Sequence, residues 1–343
     1  MDYRVAKAIR HIEEYLASVK NPESKALLEK LLSYRVAQGL SPRTNEYVIR
    51  YLSLLANEIN KPLSQVTLDE IHCFLSKVRG ERGPGALFQA VKAIKIFLGF
   101  IGREKEVKQI RWPRDRPRLP NVLTVDEVKA MIEATRSLKW KALIAVLYEG
   151  GCRAGEITSL RIRDVTFDQH GARIIVRGKT GMRSIRLIAS APILHQWIEN
   201  HPEKNNPDAL VFLNEYGDPL SNEGLNKIIR RIAKDAGIKK KVHAHLFRHS
   251  RATHLAKMLT DSEMKLFFGW KTRKMLDRYE HLSMRDVEEK LLSIHGLQEE
   301  PKPEEEFKAK ICPRCKAINS FDSKYCRQCG LILDEREAIE HER

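Results

Sequence analysis

The chain has 343 residues, 61 Lys+Arg against 45 Asp+Glu, a formal charge of +16 and 42% apolar residues. That length suits two domains with a small appendage, and the apolar fraction is high enough to exclude wholesale disorder. No run reaches the roughly 18–20 apolar residues of a membrane span, and MDYRVAKAIRHIEEYL carries acids inside its apolar stretch, unlike a secretion signal; a soluble, cytoplasmic protein with no membrane partner is expected.

Residues 1–104 read as helical throughout. Ser41-Pro42 starts a helix with proline at its first position, and TNEYVIRYLSLLANEI follows with apolar residues at helical spacing. Thr67 and Glu70 form a capping box ahead of IHCFLSKV, and GPGALFQAVKAIKIFLGFIG is a further amphipathic helix after a Gly-Pro-Gly break. Residues 105–122 then lose all periodicity around RWPRDRPRLP, which holds three prolines and four arginines. Proline keeps such a stretch extended and its cations suit a phosphate backbone, so it reads as a basic interdomain linker.

The next segment, 123–296, opens with a second capping box, Thr124 to Glu127, and continues in helices through KWKALIAVLYEGG. DVTFD, ARIIVRG and MRSIRLI are strand-like, with GKTG as the turn between the last two. Helical patterns return from about residue 190 to about 296. The expected fold class is mostly α with a small antiparallel sheet, an α+β arrangement. Residues 297–310 form an acidic, Pro-containing linker ahead of a cysteine module at 311–332.

Charge is distributed unevenly. Residues 1–120 carry 22 basic against 13 acidic side chains, residues 121–296 carry 30 against 21, and residues 297–343 carry 9 against 11. Two consecutive basic segments followed by an acidic tail fit a clamp on a polyanion, most simply nucleic acid.

In the tail, ICPRCKAINSFDSKYCRQCG places Cys312, Cys315, Cys326 and Cys329 in two CxxC knuckles ten residues apart. Four thiolates so spaced suit one structural Zn²⁺, and a module this short needs metal to hold it together. A redox dithiol pair or disulfides are the rival reading, disfavoured inside a cell. Cys73 and Cys152 stand alone and read as buried thiols.

Four places in 121–296 carry chemistry. GCRAGEITSL presents Arg153 after a Gly-Gly-Cys turn with Glu156 three residues on; RGKTG presents Lys179 at a hairpin tip; HAHLFRHSRATHL spaces His245 and Arg248 by three on one helix face; FFGWKTRKMLDRYEHL holds Trp270 and, nine residues later, Tyr279. Arginines can grip non-bridging phosphate oxygens, tyrosine can act as nucleophile once deprotonated, histidine can assist, lysine can protonate a departing sugar oxygen, and an indole N–H suits an anionic oxygen. No carboxylate cluster suited to Mg²⁺ stands among these motifs, which favours this chemistry over a two-metal nuclease. His243 and His249 compete with His245, but only His245 has arginine at the third place after it; Arg177 and Arg183 compete with Lys179 in the hairpin. Tyr148, in an apolar helix, reads as core.

Taken together, these motifs resemble the tyrosine recombinases, the family of phage-type integrases and Xer-like resolvases. The likeness covers residues 1–296: a helical core-binding domain (1–104), the basic linker (105–122) and a catalytic domain (123–296). It implies a catalytic set of Arg153, Lys179, His245, Arg248, Trp270 (where histidine is commoner) and the nucleophile Tyr279, with Glu156 in support. The turn after Lys179, Thr180-Gly181-Met182, is less basic than in relatives. The resemblance further implies a 3′-phosphotyrosyl intermediate on double-stranded DNA with no catalytic cofactor, and a nucleoid-associated homotetramer on two duplexes. MRDVEEKLLSIHGL is placed to be a C-terminal helix exchanged between protomers. The zinc ribbon lies outside the common pattern and is similar to those on some archaeal relatives. The expected activity is site-specific recombination, for integration or excision of a mobile element or for replicon dimer resolution. The alternatives are a type IB topoisomerase-like nicking and rejoining enzyme, or a non-catalytic DNA-binding regulator on the same scaffold.

Overall fold

The computed structural model describes residues 3–59, 61–113, 122–178, 181–256, 258–272, 275–276, 291–292, 295–296 and 307–333. The chain forms two compact units, Met1–Arg116 and Pro117–Arg343.

The first unit is all helical among its described residues: α1 (Tyr3–Ala17), α2 (Pro22–Ala37), α3 (Pro42–Glu58), α4 (Leu68–Phe100) and α5 (Glu104–Gln109). Asn21 caps α2 by accepting from the Ser24 N–H, and Pro22 and Pro42 each occupy a first turn where a missing N–H is harmless. The Thr67–Glu70 capping box is formed at the start of α4. The Gly-Pro-Gly break divides α4 into two helical stretches that meet at a kink, as expected: Gly83 leaves helical geometry at φ +81°, just before Pro84. Fully buried Val48, Ile49, Leu52 and Leu55 of α3 meet Ile94, Phe97 and Leu98 of α4 in the core. α5 corrects the linker expectation at its start. Residues 105–109 are helical because Val107 and Ile110 find apolar partners on this core, and the Trp112 ring lies tilted beside Phe88 at 5.0 Å between centroids.

In the second unit, α6 (Val125–Ala134) and α7 (Leu138–Glu149) lead to a short α8 (Ala154–Thr158) and a three-stranded antiparallel sheet, β1 (Val165–Asp168), β2 (Gly171–Gly178) and β3 (Gly181–Leu187). Then follow α9 (Ala191–Glu199), α10 (Asn222–Asp235), α11 (Ala244–Leu255) and α12 (Asp261–Phe268). Residues 201–221 depart from the expected helix: they form turns and short bridges, since Pro202, Pro207 and Pro219 break the pattern.

The central α7 is apolar on every side, and Ala142 through Tyr148 are fully buried. The sheet covers it with alternate residues, Ala172, Ile174 and Val176 of β2 facing the core with Ile185 and Leu187 of β3. Glu149 at the end of α7 is buried, yet its carboxylate accepts the N–H groups of Ile188, Ala189 and Ser190 and the Ser190 hydroxyl, tying β3 to the start of α9. Ser250 on α11 accepts from the Leu123 N–H at 2.8 Å while donating to Leu246 O, so the chain's entry to α6 is pinned to α11.

The cysteine module contributes β4 (Lys310–Ile311) paired antiparallel with β5 (Ile318–Asn319). It packs on the α7 core through Phe307, whose ring meets Tyr148 edge-on at 5.4 Å and Phe321 at 5.0 Å. Cys152 is buried as expected, but Cys73 is exposed, because it falls on the outer face of α4. No described helix is long and apolar enough to cross a membrane.

Candidate active site

The loop after α7 creates the first part of the site. Gly151, at φ +53°, reverses the chain where a Cβ would lie 2.5 Å from Phe268 Cε1, so only glycine fits. The backbone turns extended at Arg153, which caps α8. Glu156, one turn in, is buried, and four donor groups from two arginines converge on it. Its Oε2 accepts the Arg153 backbone N–H at 2.8 Å, and its Oε1 accepts Arg153 Nη1 at 2.6 Å. Arg183 of β3 adds a two-pronged pair, Nη1 to Oε1 at 2.6 Å and Nη2 to Oε2 at 2.9 Å. Burial works to raise the Glu156 pKa, but the hydrogen bonds and charges of Arg183 and Arg153 outweigh it and hold the carboxyl below its ordinary range. Gly178 is tailored to this carboxylate, since a Cβ there would stand 2.9 Å from Oε1.

α11 supplies the second part. Its first N–H, at Ala244, is capped by Asn226 Oδ1 of α10. Arg248 points inward and is buried; its Nη1 donates to Gly151 O at 2.8 Å and its Nη2 to Phe268 O at 2.5 Å. Its guanidinium lies over the rings of Phe268 (5.0 Å) and Trp270 (5.8 Å), which stack on each other at 4.7 Å. Desolvation first, then the positive charges of Arg153 and Arg183, push the Arg248 pKa down to about 10. Gly269, left-handed at φ +62°, ends α12 and turns the chain so that Trp270 follows on the buried side.

His245 lies one turn before Arg248, with its ring edge-on to His249 at 4.4 Å between centroids. It retains exposed surface, but crowding by neighbouring atoms, followed by the positive charges of His249, Arg248, His243 and Arg153, pushes its pKa down to about 4. It is therefore a neutral imidazole at neutral pH.

Arg153, Glu156, His245, Arg248 and Trp270 are thus brought to one region. Lys179 and Tyr279 lie outside the described residues, as does most of 284–297. The hairpin that carries Lys179 is closed by the Gly178–Gly181 pair. The sequence offers Arg183 only as a rival to Lys179, whereas it lies at the centre of the cluster. Strand alternation held the clue: Arg183 shares its face of β3 with buried Ile185 and Leu187, so it must point inward. The backbone oxygens of Gly151, Phe267 and Phe268 have no side-chain signature by which to be found.

The cysteines form a second centre. The Sγ atoms of Cys312, Cys315, Cys326 and Cys329 all lie within 4.8 Å of one another. Cys312 and Cys329 are 3.6 Å apart and Cys315 and Cys326 3.5 Å. Those separations are far beyond a disulfide and close to the ~3.8 Å edge of a tetrahedron of Zn–S bonds. Backbone N–H groups of Arg314 and Cys315 point at Cys312, and those of Gln328 and Cys329 at Cys326, as thiolates require. Buried Asn319 ties the knuckles together by donating to Ala317 O and accepting from Arg327 N.

Residues 121–286 match the Phage integrase family. The chain is 30% identical over 209 residues to the tyrosine recombinase XerD of Halalkalibacterium halodurans, spanning 55% of this chain and 68% of that protein. It is 29% identical over 234 residues to XerA of Pyrococcus horikoshii, an archaeal-type relative, spanning 67% of this chain and 79% of that one. In fold it is similar to the XerH site-specific recombinase crystallised with palindromic difH substrate, at a TM-score of 0.61 and 20% identity, covering 85% of this chain and 97% of that one. The clustered arginines, the HxxR helix face and these likenesses lead to one conclusion: the chain belongs to the tyrosine recombinases, site-specific DNA recombinase enzymes of the phage integrase type.

Proposed function

We propose that this recombinase cuts and rejoins double-stranded DNA through Tyr279. The phenolate oxygen attacks the scissile phosphorus, the bond from phosphorus to the 5′ oxygen breaks, and a 3′-phosphotyrosyl link forms as the 5′ oxygen takes up a proton. Arg153 and Arg248 hold the non-bridging oxygens, and Lys179 delivers the proton to the departing oxygen. Neutral His245 accepts a proton or hydrogen-bonds the phosphate, Trp270 lines the pocket, and Glu156 orients Arg153. A 5′-hydroxyl from a partner duplex then reverses the step, with no energy-supplying cofactor. The observation that carries this reading is the gathering of three guanidinium groups, Arg153, Arg183 and Arg248, around the single carboxylate of Glu156. Such a local excess of positive charge, partly desolvated, is matched to a phosphate whose negative charge grows in the transition state.

In this reading 1–104 is the core-binding domain, 105–122 the linker, with its first residues 105–109 helical against that domain, and 123–296 the catalytic domain. The enzyme acts as a homotetramer on two duplexes, exchanging the 284–297 segment, in integration and excision or in dimer resolution. Cys312, Cys315, Cys326 and Cys329 hold a structural Zn²⁺, whose chemistry is to cross-link the ribbon.

The test is covalent trapping on a pool of nicked duplexes of randomised sequence. Adducts that survive denaturation and vanish in Tyr279→Phe are expected. No adduct from any duplex in the pool overturns strand cleavage. Products joining two duplexes separate recombination from topoisomerase-like relaxation.

A further inference from the structure

The roles above leave out Arg183, although its side chain makes three hydrogen bonds within the site. Its side chain is 10% exposed and that of its partner Glu156 only 1%. Both prongs of its guanidinium are on the two oxygens of Glu156, and its Nε donates to Phe267 O at 2.9 Å, three residues before Trp270. We propose that Arg183 is the positioning residue that keeps Arg153 available to a phosphate, acting through Glu156, and that couples this setting to the end of α12. The inference rests on the reading of Arg153 as a phosphate-binding group.

The charge balance gives the reason. Arg153, Glu156 and Arg183 together carry one net positive charge, so Glu156 is satisfied without neutralising Arg153. Without Arg183, the buried carboxylate has Arg153 as its sole ion-pair partner in this pair of contacts, and the two neutralise each other. Arg153 is then drawn toward Glu156 when it should grip an incoming anion. Geometry adds a second effect. Arg183 sits four residues past Lys179 on the same hairpin, and its Nε bond reaches the α12 backbone, so one planar group fixes α8, the hairpin and α12 relative to each other. A lysine would restore the charge but not the fork.

The experiment uses the full chain and the pool of nicked randomised duplexes, measuring single-turnover adduct formation at saturating enzyme, duplex affinity by fluorescence anisotropy, and thermal unfolding. Arg183→Ala is expected to slow adduct formation about 30-fold while leaving affinity for intact duplex within about threefold. Arg183→Lys should fall between. Glu156→Gln should also be slow, and the double variant Arg183→Ala/Glu156→Gln no slower than Arg183→Ala alone, because both changes interrupt one path. Adduct formation by Arg183→Ala within threefold of the unaltered chain overturns the inference, as do losses that multiply in the double variant. Should the unaltered chain form no Tyr279-dependent adduct, the strand-cleavage reading fails by itself. Nitrogen-15 NMR of the arginine guanidinium groups then decides the positioning role without DNA. The Arg153 signal is expected to move in Arg183→Ala and to recover part-way in Arg183→Lys, and an Arg153 signal unmoved in Arg183→Ala overturns it.

Discussion

Gly151 and Phe268 approach so closely that a methyl group on the glycine would sit 2.5 Å from Cε1 of the ring. The same two residues offer their carbonyl oxygens to Arg248. The contact therefore joins the loop bearing Arg153 to the end of α12 and sets the depth of the buried guanidinium between them. Gly151→Ala forces a side chain into left-handed backbone and into an aromatic ring. It is expected to destabilise the fold by about 3 kcal/mol and to slow adduct formation at temperatures where the variant remains folded. Thermal unfolding and trapping measured side by side check this; a variant with unchanged melting shows that the ring can move aside.

His245 gives a pH signature. Its pKa, about 4 in the folded chain, lies below the ordinary histidine value. Between about 4 and 6.5 the unfolded chain binds the proton and the folded chain does not, so stability rises with pH across that window and this contribution is lost as pH falls. Above that range the group contributes fully. Proton NMR of the His245 ring should give a midpoint near 4, and in the DNA-free protein no titration of this ring is expected between pH 6 and 8. A midpoint at the ordinary value would show that neither desolvation nor the neighbouring positive charges act on the ring.

Glu149 is a buried structural carboxylate with three backbone donors and a hydroxyl. Glu149→Ala leaves those N–H groups without an acceptor and is expected to lower stability by about 3 kcal/mol. Glu149→Gln keeps one acceptor oxygen and should lose less. Denaturant unfolding of both variants supplies the comparison, and equal losses would mean that the anionic charge, more than the hydrogen bonds, is what matters.

Zinc should bind at one ion per chain, and cobalt in its place should show the strong absorption of tetrahedral thiolate ligation. Chelation is expected to raise amide hydrogen exchange across 310–330 and to leave the α7 core protected, because the cysteine module has little apolar core besides its contact through Phe307. Substituting serine for Cys326 should have the same effect without chelator. Persistent protection of the ribbon in metal-free protein would show that packing on Tyr148 alone holds it.

Much of this was legible from residue order alone. Both capping boxes, at Thr67 and Thr124, form as their spacing predicts, since a cap is a contact between residues three apart. The hairpin follows from alternation and a glycine turn, the HxxR face from helical period, and the thiolate cluster from two knuckles. One expectation fails through distant packing and another through local residues. Residues 105–109 became helical once Val107 and Ile110 met the first core, and 201–221 turned away from helix at their prolines.

The sequence by itself determined the family, the order of the segments, the candidate catalytic residues and the candidate metal-ligating cysteines, because each depends on residue type and short spacing. Only the tertiary structure decided that Arg183 shares Glu156 with Arg153 from 30 residues away, that backbone oxygens of Gly151 and Phe268 seat Arg248, and that His245 is held neutral. Those depend on which surfaces meet and how much water they exclude, and burial is what turns an ordinary charge or carbonyl into a positioned one.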